Sequence, residues 1–294
     1  MDIIVNFTPT GMIPTKKINP HTPISANEIV EDVHEAFEIG ITTVHLHARD
    51  ESNGEPTYKA EVYRKIIEGI RKFTKELVIC VSLSGRTFKD FEKRAEPLQL
   101  DGDLKPDMGS LTLSSVNFNR IASESAPQMI ISLATEMKRR GILAELEAFD
   151  VGMINYAKYL ERKGLLESPH FFNLLIGNIA CAQADLLHIG VMIRDLPDHS
   201  FWSLAGIGDC QLMINSIAII YGGGVRVGLE DNVWYDIDRT KLARNIDLIK
   251  RIHSLAEIHE RKIMSSNSFR KLLNLNDMTG GFGRNYNWQD DSGT

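Results

Sequence analysis

Ser25–Asp50, SANEIVEDVHEAFEIGITTVHLHARD, decides the fold, because it joins an amphipathic helix to a β-strand through one glycine. Ser25 with Glu28 three residues on forms a capping box. Ile29, Val33 and Phe37 then fall on one helical stripe, and Gly40 closes the helix. TTVHLHA, from Thr42, is a short β-branched run that reads as a strand.

The same unit recurs outward in both directions. Strand-like runs begin near Ile3 (IIVNFTP), Thr42, Leu77 (LVICVSL), Asp107 (DMGSLTL), Leu143 (LAELEAF), Phe171 (FFNLLI), Phe201 (FWSLAGI) and Gly224 (GVRVGLE). Spacings of about 25 to 40 residues leave room for one right-handed crossover each. Amphipathic stretches fill them: Tyr63 to Phe73, APQMIISLATEMKRRG closed by Gly141, VGMINYAKYLERKG closed by Gly164, and TKLARNIDLIKRIHSLAEIHER. This pattern predicts an α/β (β/α)8 TIM barrel over residues 1–275 as a single domain, with an open doubly wound sheet as the rival. The polar, Gly-rich tail 276–294 is expected to be loosely ordered or draped on a neighbouring subunit.

Composition narrows the function. The 294 residues carry 33 Lys+Arg against 39 Asp+Glu, a net charge of −6, with 24% charged and 43% hydrophobic residues, as in an ordinary soluble globular protein. No dense basic block offers the footprint that nucleic acid needs. Uncharged stretches such as Cys210 to Val225 contain Gln211 and Asn215 and fall short of a membrane span. The N-terminus lacks a basic region before an apolar segment, so a cytoplasmic location is expected. Cys80, Cys181 and Cys210 are far apart and read as buried thiols rather than a disulfide or metal motif.

His45 and His47 stand at i and i+2 of one strand, so they project from one face at the mouth where barrel enzymes keep their sites. Two imidazoles there suit a divalent metal, and zinc above others if a carboxylate joins them. Glu230, after the eighth run, is the candidate third ligand, and Arg226 shares its strand parity. In a closed barrel the second and eighth strands are roughly 10 Å apart, at about 4.8 Å per step, so the side chains can meet. The blander reading makes Glu230 and Asp231 a solvated acidic turn. Ser82, Ser84, Ser110, Thr112, Asn117, Glu145 and Glu147 also gather at strand ends, where inward carboxylates need a partner. Gly222-Gly223-Gly224 is a weak sign of phosphate binding and more simply a turn.

TPTG near Thr8, VHLHARD, LSGR, MGSLTLSSVNF, ELEAFDVGM and GVRVGLEDN, in this order, resemble the β-keto acid cleavage enzymes, typified by the 3-keto-5-aminohexanoate cleavage enzyme. The resemblance spans nearly residues 3 to 275. It implies a zinc-dependent barrel, usually a homotetramer, that converts a β-keto acid and acetyl-CoA into acetoacetate and a new acyl-CoA. It further implies that His45, His47 and Glu230 hold the metal, that Asp231 is the base and that Arg226 is its charged partner. Ser82 or Ser84, with Ser110, Thr112 and Asn117, would line the substrate and thioester pocket, and Glu145 or Glu147 would be its glutamate.

Two departures bear on specificity. Members acting on the amino-substituted substrate have a Glu soon after the TG of the first strand, where this chain reads Gly11-Met12-Ile13-Pro14-Thr15. Arg86 follows Ser84-Gly85 where many relatives have a second glycine, and it would either favour a polar or anionic substrate tail or form a surface salt bridge. Three rivals remain: an amidohydrolase-type metal hydrolase, which needs HxH on the first strand and later histidines, a CoA-independent class II-type aldolase, and a non-catalytic scaffold.

Overall fold

The computed structural model describes residues 1–284 of the chain. Eight strands form a closed barrel: β1 Val5–Phe7, β2 Thr43–Leu46, β3 Val78–Val81, β4 Met108–Thr112, β5 Leu143–Ala148, β6 His170–Ile176, β7 Ser200–Gly206 and β8 Gly224–Val227. Every neighbour is parallel and follows chain order, and β8 returns to β1 with Arg226 opposite Asn6. Closure excludes the open sheet.

The helices form where caps and stripes place them. Around the barrel run α1 Ala26–Ile39, α2 Ala60–Phe73, α3 Phe91–Ala95, α4 Pro127–Arg140, α5 Val151–Arg162, α6 Leu186–Arg194, α7 Gln211–Tyr221 and α8 Asn245–Ile258. The Ser25 hydroxyl accepts from Glu28 N and the Glu28 carboxylate accepts from Ser25 N, so the capping box of α1 is real. Ile29 and Val33 are buried as the stripe requires, and Ile66, Ile67 and Ile70 do the same for α2. Complete burial of an aliphatic side chain contributes about 1.5–3 kcal/mol, so these five residues fasten helix to sheet.

The barrel interior is layered. Register and the two-residue period turn Asn6, His45, Cys80, Glu145, Asn173 and Arg226 inward. Below them, Val78, Met108, Leu143 and Phe171 make an apolar floor closed by Phe269 of α9, Ser266–Leu272, with ring centroids of Phe171 and Phe269 5.0 Å apart. The middle layer is polar instead: Asn6 Nδ2 donates to Glu145 Oε1 at 2.8 Å and to Asn173 Oδ1 at 3.1 Å, and the Ser203 hydroxyl also donates to Asn173.

Residues 276–284 correct the expectation of a loose tail from Asn276. Phe282 is buried beneath the Arg71 guanidinium, whose Cζ lies 3.8 Å from the ring centroid, and Gly283 N donates to Asp107 Oδ1 at 3.1 Å. Asp107 in turn pairs with Arg71 and Arg270 at 3.0 and 2.8 Å, which locks this segment under the barrel. The remainder of that tail, 285–294, lies outside the described residues.

Candidate active site

The site grows from β2. His45 Nδ1 meets Glu145 Oε2 at 2.5 Å, which leaves Nε2 free to face His47 Nε2 at 3.3 Å. His47 Nε2 lies 3.1 Å from Glu230 Oε1. Burial would depress His45, but the carboxylates of Glu145 and Glu230 outweigh it and hold the imidazole at about 9. Burial would likewise raise Glu145, yet the charge on His45 holds it at about 2. Burial prevails at His47, whose pKa falls despite Glu230, so its ring offers a lone pair.

These three groups fit a metal. The ligand atoms of His45, His47 and Glu230 lie within 4.8 Å of one another. Ligands about 2.0–2.1 Å from a tetrahedral zinc stand about 3.3 Å apart, close to the observed 3.1 and 3.3 Å. Glu230 Oε2 is buried and has no hydrogen-bond partner, as an oxygen awaiting a cation would be. A second triplet, His45, Cys80 and Glu145, is better explained without one. Burial and the Glu145 charge push the Cys80 thiol well up, so it stays protonated and donates to Glu145 Oε2 at 3.2 Å.

Glu230 reaches this point from a turn, not from the strand that its parity with Arg226 suggests. β8 ends at Val227, and the chain then crosses so close to β1 that a Cβ at Gly228 would sit 2.0 Å from the Thr8 carbonyl oxygen. Glu230 N donates to that same oxygen at 3.2 Å, and Leu229 N donates to Asn245 Oδ1 at 2.9 Å. Gly11, at φ 66°, lies under the glutamate, where a Cβ would be 2.6 Å from its Cγ.

Arg226 organises the acids. Its buried guanidinium donates to Glu230 Oε1 at 2.7 Å, Asp231 Oδ2 at 3.1 Å and Glu147 Oε1 at 3.2 Å. Burial opposes the charge, but Asp231, Glu230 and Glu147 hold it far above any accessible pH. Burial raises the Asp231 carboxyl, Arg226 pulls it back, and the Glu230 charge leaves it above its ordinary value. Such a carboxylate is a better proton acceptor than a solvated one. Thr8 Oγ1 also donates to Asp231 Oδ2 at 3.4 Å.

The remaining predicted residues divide. Thr112 donates to Glu147 Oε2 at 2.7 Å, so both belong to the Arg226 network. Ser82 and Ser84 line a cleft that His47 also lines. Ser110 is spent on Leu83 N at 3.0 Å. Glu145 lies a layer below the mouth with no exposure, so of the two glutamates only Glu147 could meet a substrate. Asn117 has an exposed side chain, and its carbonyl accepts from Asn178 Nδ2 at 2.9 Å. The glycine run 222–224 enters β8 at the end away from the mouth, where Trp202 presses on Gly223, so it is a turn. Sequence reasoning missed Asn6 and Asn245, and it read Cys80 as a buried thiol and Thr8 as part of a motif without giving either a place in the site. Asn6 on β1 and Thr8 just past its end share one parity, a legible signal, whereas Asn245 offers none. The later histidines an amidohydrolase needs are elsewhere: His170 opens β6 against Glu161, and His188 lies in α6.

A closed barrel with an acidic, imidazole-bearing mouth is the architecture on which barrel enzymes place their sites. The comparison with known proteins is narrower: residues 2–275 match the beta-keto acid cleavage enzyme family, and the chain belongs to it. It is 32% identical to the 3-keto-5-aminohexanoate cleavage enzyme of Fusobacterium nucleatum, over 93% of this chain and 98% of that one. It is 34% identical to the 3-oxoadipate:acetyl-CoA acetyltransferase of Cupriavidus necator, over 94% and 95% respectively. Among solved structures, apo ObcA shares the fold with a TM-score of 0.76 at 21% identity, over 86% of this chain and 65% of that one. Among the described residues no helix is long and apolar enough to cross a membrane.

Proposed function

We propose that this chain is a zinc-dependent enzyme that converts a β-keto acid and acetyl-CoA into acetoacetate and a new acyl-CoA, residues 1–275 being its catalytic unit. One observation carries the reading: two imidazole nitrogens and the Glu230 carboxylate converge beside an aspartate paired to a buried arginine. The named activities of the two curated relatives support the substrates, and the donor set supports zinc.

His45, His47 and Glu230 would hold the metal. When bound, zinc supplies Lewis-acid polarisation of the keto acid's oxygens, worth several kcal/mol. Asp231 takes the C2 proton on a carboxylate oxygen, and Arg226 keeps that carboxylate ionised beforehand and offsets substrate charge. C2 then bonds to the acetyl carbonyl carbon and coenzyme A leaves as thiolate. The thiolate attacks the original ketone, the C2–C3 bond breaks, and Asp231 returns its proton to C2 of the departing acetoacetate. Thr112 orients Glu147, and Thr8 orients Asp231, so neither acid swings away from Arg226. We further take the enzyme to be a cytoplasmic homotetramer; of these, only self-association has a counterpart on the surface, the exposed apolar Leu186, Leu187, Leu212, Met213 and Tyr221 of α6 and α7.

The test is a screen of β-keto acids with acetyl-CoA, reading acetoacetate, with Asp231→Asn beside the parent. Asp231→Asn should keep about one zinc per chain and lose about 10²- to 10⁴-fold in rate. An undiminished rate removes Asp231 as the base, and a parent inert to every keto acid removes the reaction.

A further inference from the structure

Arg49, Arg94 and Arg226 surround the mouth with their N–H groups already taken. Arg226 grips three carboxylates. Arg49 donates to the carbonyls of Gly11, Gly54 and Pro14 at 2.9, 2.8 and 2.6 Å. Arg94 donates to those of Leu83 and Glu124 at 2.8 and 2.9 Å. Arg86 differs from all three. Its guanidinium carbon lies 3.7 Å from the centroid of the Phe118 ring, and among the described residues no carboxylate or carbonyl accepts from it.

The position is built. Arg86 N donates to Ser84 Oγ at 3.3 Å, and Glu124 N donates to Gly85 O at 3.2 Å. A Cβ at Gly85 would lie 2.1 Å from the Glu124 carbonyl oxygen, so the loop passes Glu124 in one way only. Phe118 is held edge-on by Phe149, with centroids 5.8 Å apart. Stacking covers one face of the guanidinium and leaves its N–H edge open, the edge that receives a carboxylate in bidentate fashion. Burial weakens the Arg86 charge while Glu230 and Glu147 support it, so this cation acts across the same mouth as the acids. A half-buried charge without a partner is costly, and an anionic ligand group would relieve that cost.

We infer that Arg86 receives a second carboxylate at the far end of the substrate, which makes the preferred substrate a dicarboxylic β-keto acid. The inference rests on the reading of this site as a β-keto acid cleavage centre. The phosphates of coenzyme A are the other source of anionic oxygen, but they lie a pantetheine arm away from the thioester, whereas Arg86 is near enough to Glu230 and Glu147 to feel their charge.

The experiment compares 3-oxoadipate with the monoacid 3-oxohexanoate in the parent, Arg86→Gln and Arg86→Lys. The kcat/KM ratio of diacid to monoacid should favour the diacid in the parent and fall about 10- to 100-fold in Arg86→Gln. Lysine should restore part of it, and zinc content should not change. An unaltered ratio, or an equal loss on both acids, overturns the inference. So does a raised KM for acetyl-CoA that disappears with acetyl-pantetheine, since that assigns Arg86 to the phosphates. Calorimetric binding of the two acids without acetyl-CoA separates the levels. Arg86-dependent preference for the diacid in an inactive protein faults the reaction alone, whereas equal binding of both acids refutes the inference whatever is catalysed.

Discussion

Glu145→Gln probes how the imidazole pair is prepared. Glu145 accepts from Asn6 Nδ2, His45 Nδ1 and Cys80 Sγ. Glutamine keeps the shape but has one oxygen, and its amide nitrogen only donates. If the oxygen stays with Asn6, the amide faces His45 Nδ1 and forces that ring's proton onto Nε2, the nitrogen that faces His47. That proton occupies the lone pair a metal requires. Losing a partner of this kind costs about 10- to 100-fold in metal affinity, or about 1.4 to 2.7 kcal/mol. A second effect has the opposite sign: Glu145 keeps metal-free His45 at about 9, so near neutrality zinc must displace a proton, and the variant escapes that competition. The two effects separate with pH. Above about 9 His45 is neutral in both proteins and only the tautomer loss remains. Chelator-competition titration of zinc at about pH 9.5 should therefore show the full deficit, narrowing toward neutrality. Equal affinity of variant and parent at the higher pH would refute the reasoning.

Two further outcomes follow from the same contacts. Metal-free parent protein should lose stability as pH rises: His45 stands at 6.5 unfolded and about 9 folded, so its contribution is complete below 6.5 and gone above 9. The loss is roughly 3 kcal/mol, counted once for the His45–Glu145 pair, and urea denaturation that stays flat across this window contradicts it. Asn245→Ala should destabilise by about 1–3 kcal/mol, because it strands Leu229 N and the Pro9 carbonyl, and it should weaken zinc retention by loosening the Glu230 turn. Thermal melts that shift while zinc affinity holds would confine Asn245 to the scaffold.

What could be read from the chain is what local chemistry fixes. The α1 capping box, the glycine closures and the β-branched runs are short-range signals, and each of the eight runs falls on a barrel strand, although β6 and β7 start one residue earlier, at His170 and Ser200. His45 and His47 share a face because the strand period is two residues. The same period fails to separate Glu145 from Glu147: both point inward, yet about 6.6 Å of rise divides a carboxylate that braces a ring from one at the mouth. Parity carried past Val227 misread Glu230 as a strand residue, since Gly228 ends the strand and the contact with Arg226 arises through a turn. Asn245 acts across a long loop, and no pattern near Leu229 announces it. In residues 276–284 the polar composition concealed one aromatic ring, Phe282, that two arginines were waiting to cover.

The hydrogen-bonded middle layer ties Asn6, Glu145, Asn173 and Ser203 into the same body that carries His45. Durability of the molecule and readiness of its reaction centre are therefore one property. Few of those side chains can be exchanged without loosening both at once. Room for divergence lies higher, on loop positions such as Arg86 and Phe118, where a new appetite for substrate can arise while the chamber beneath stays whole.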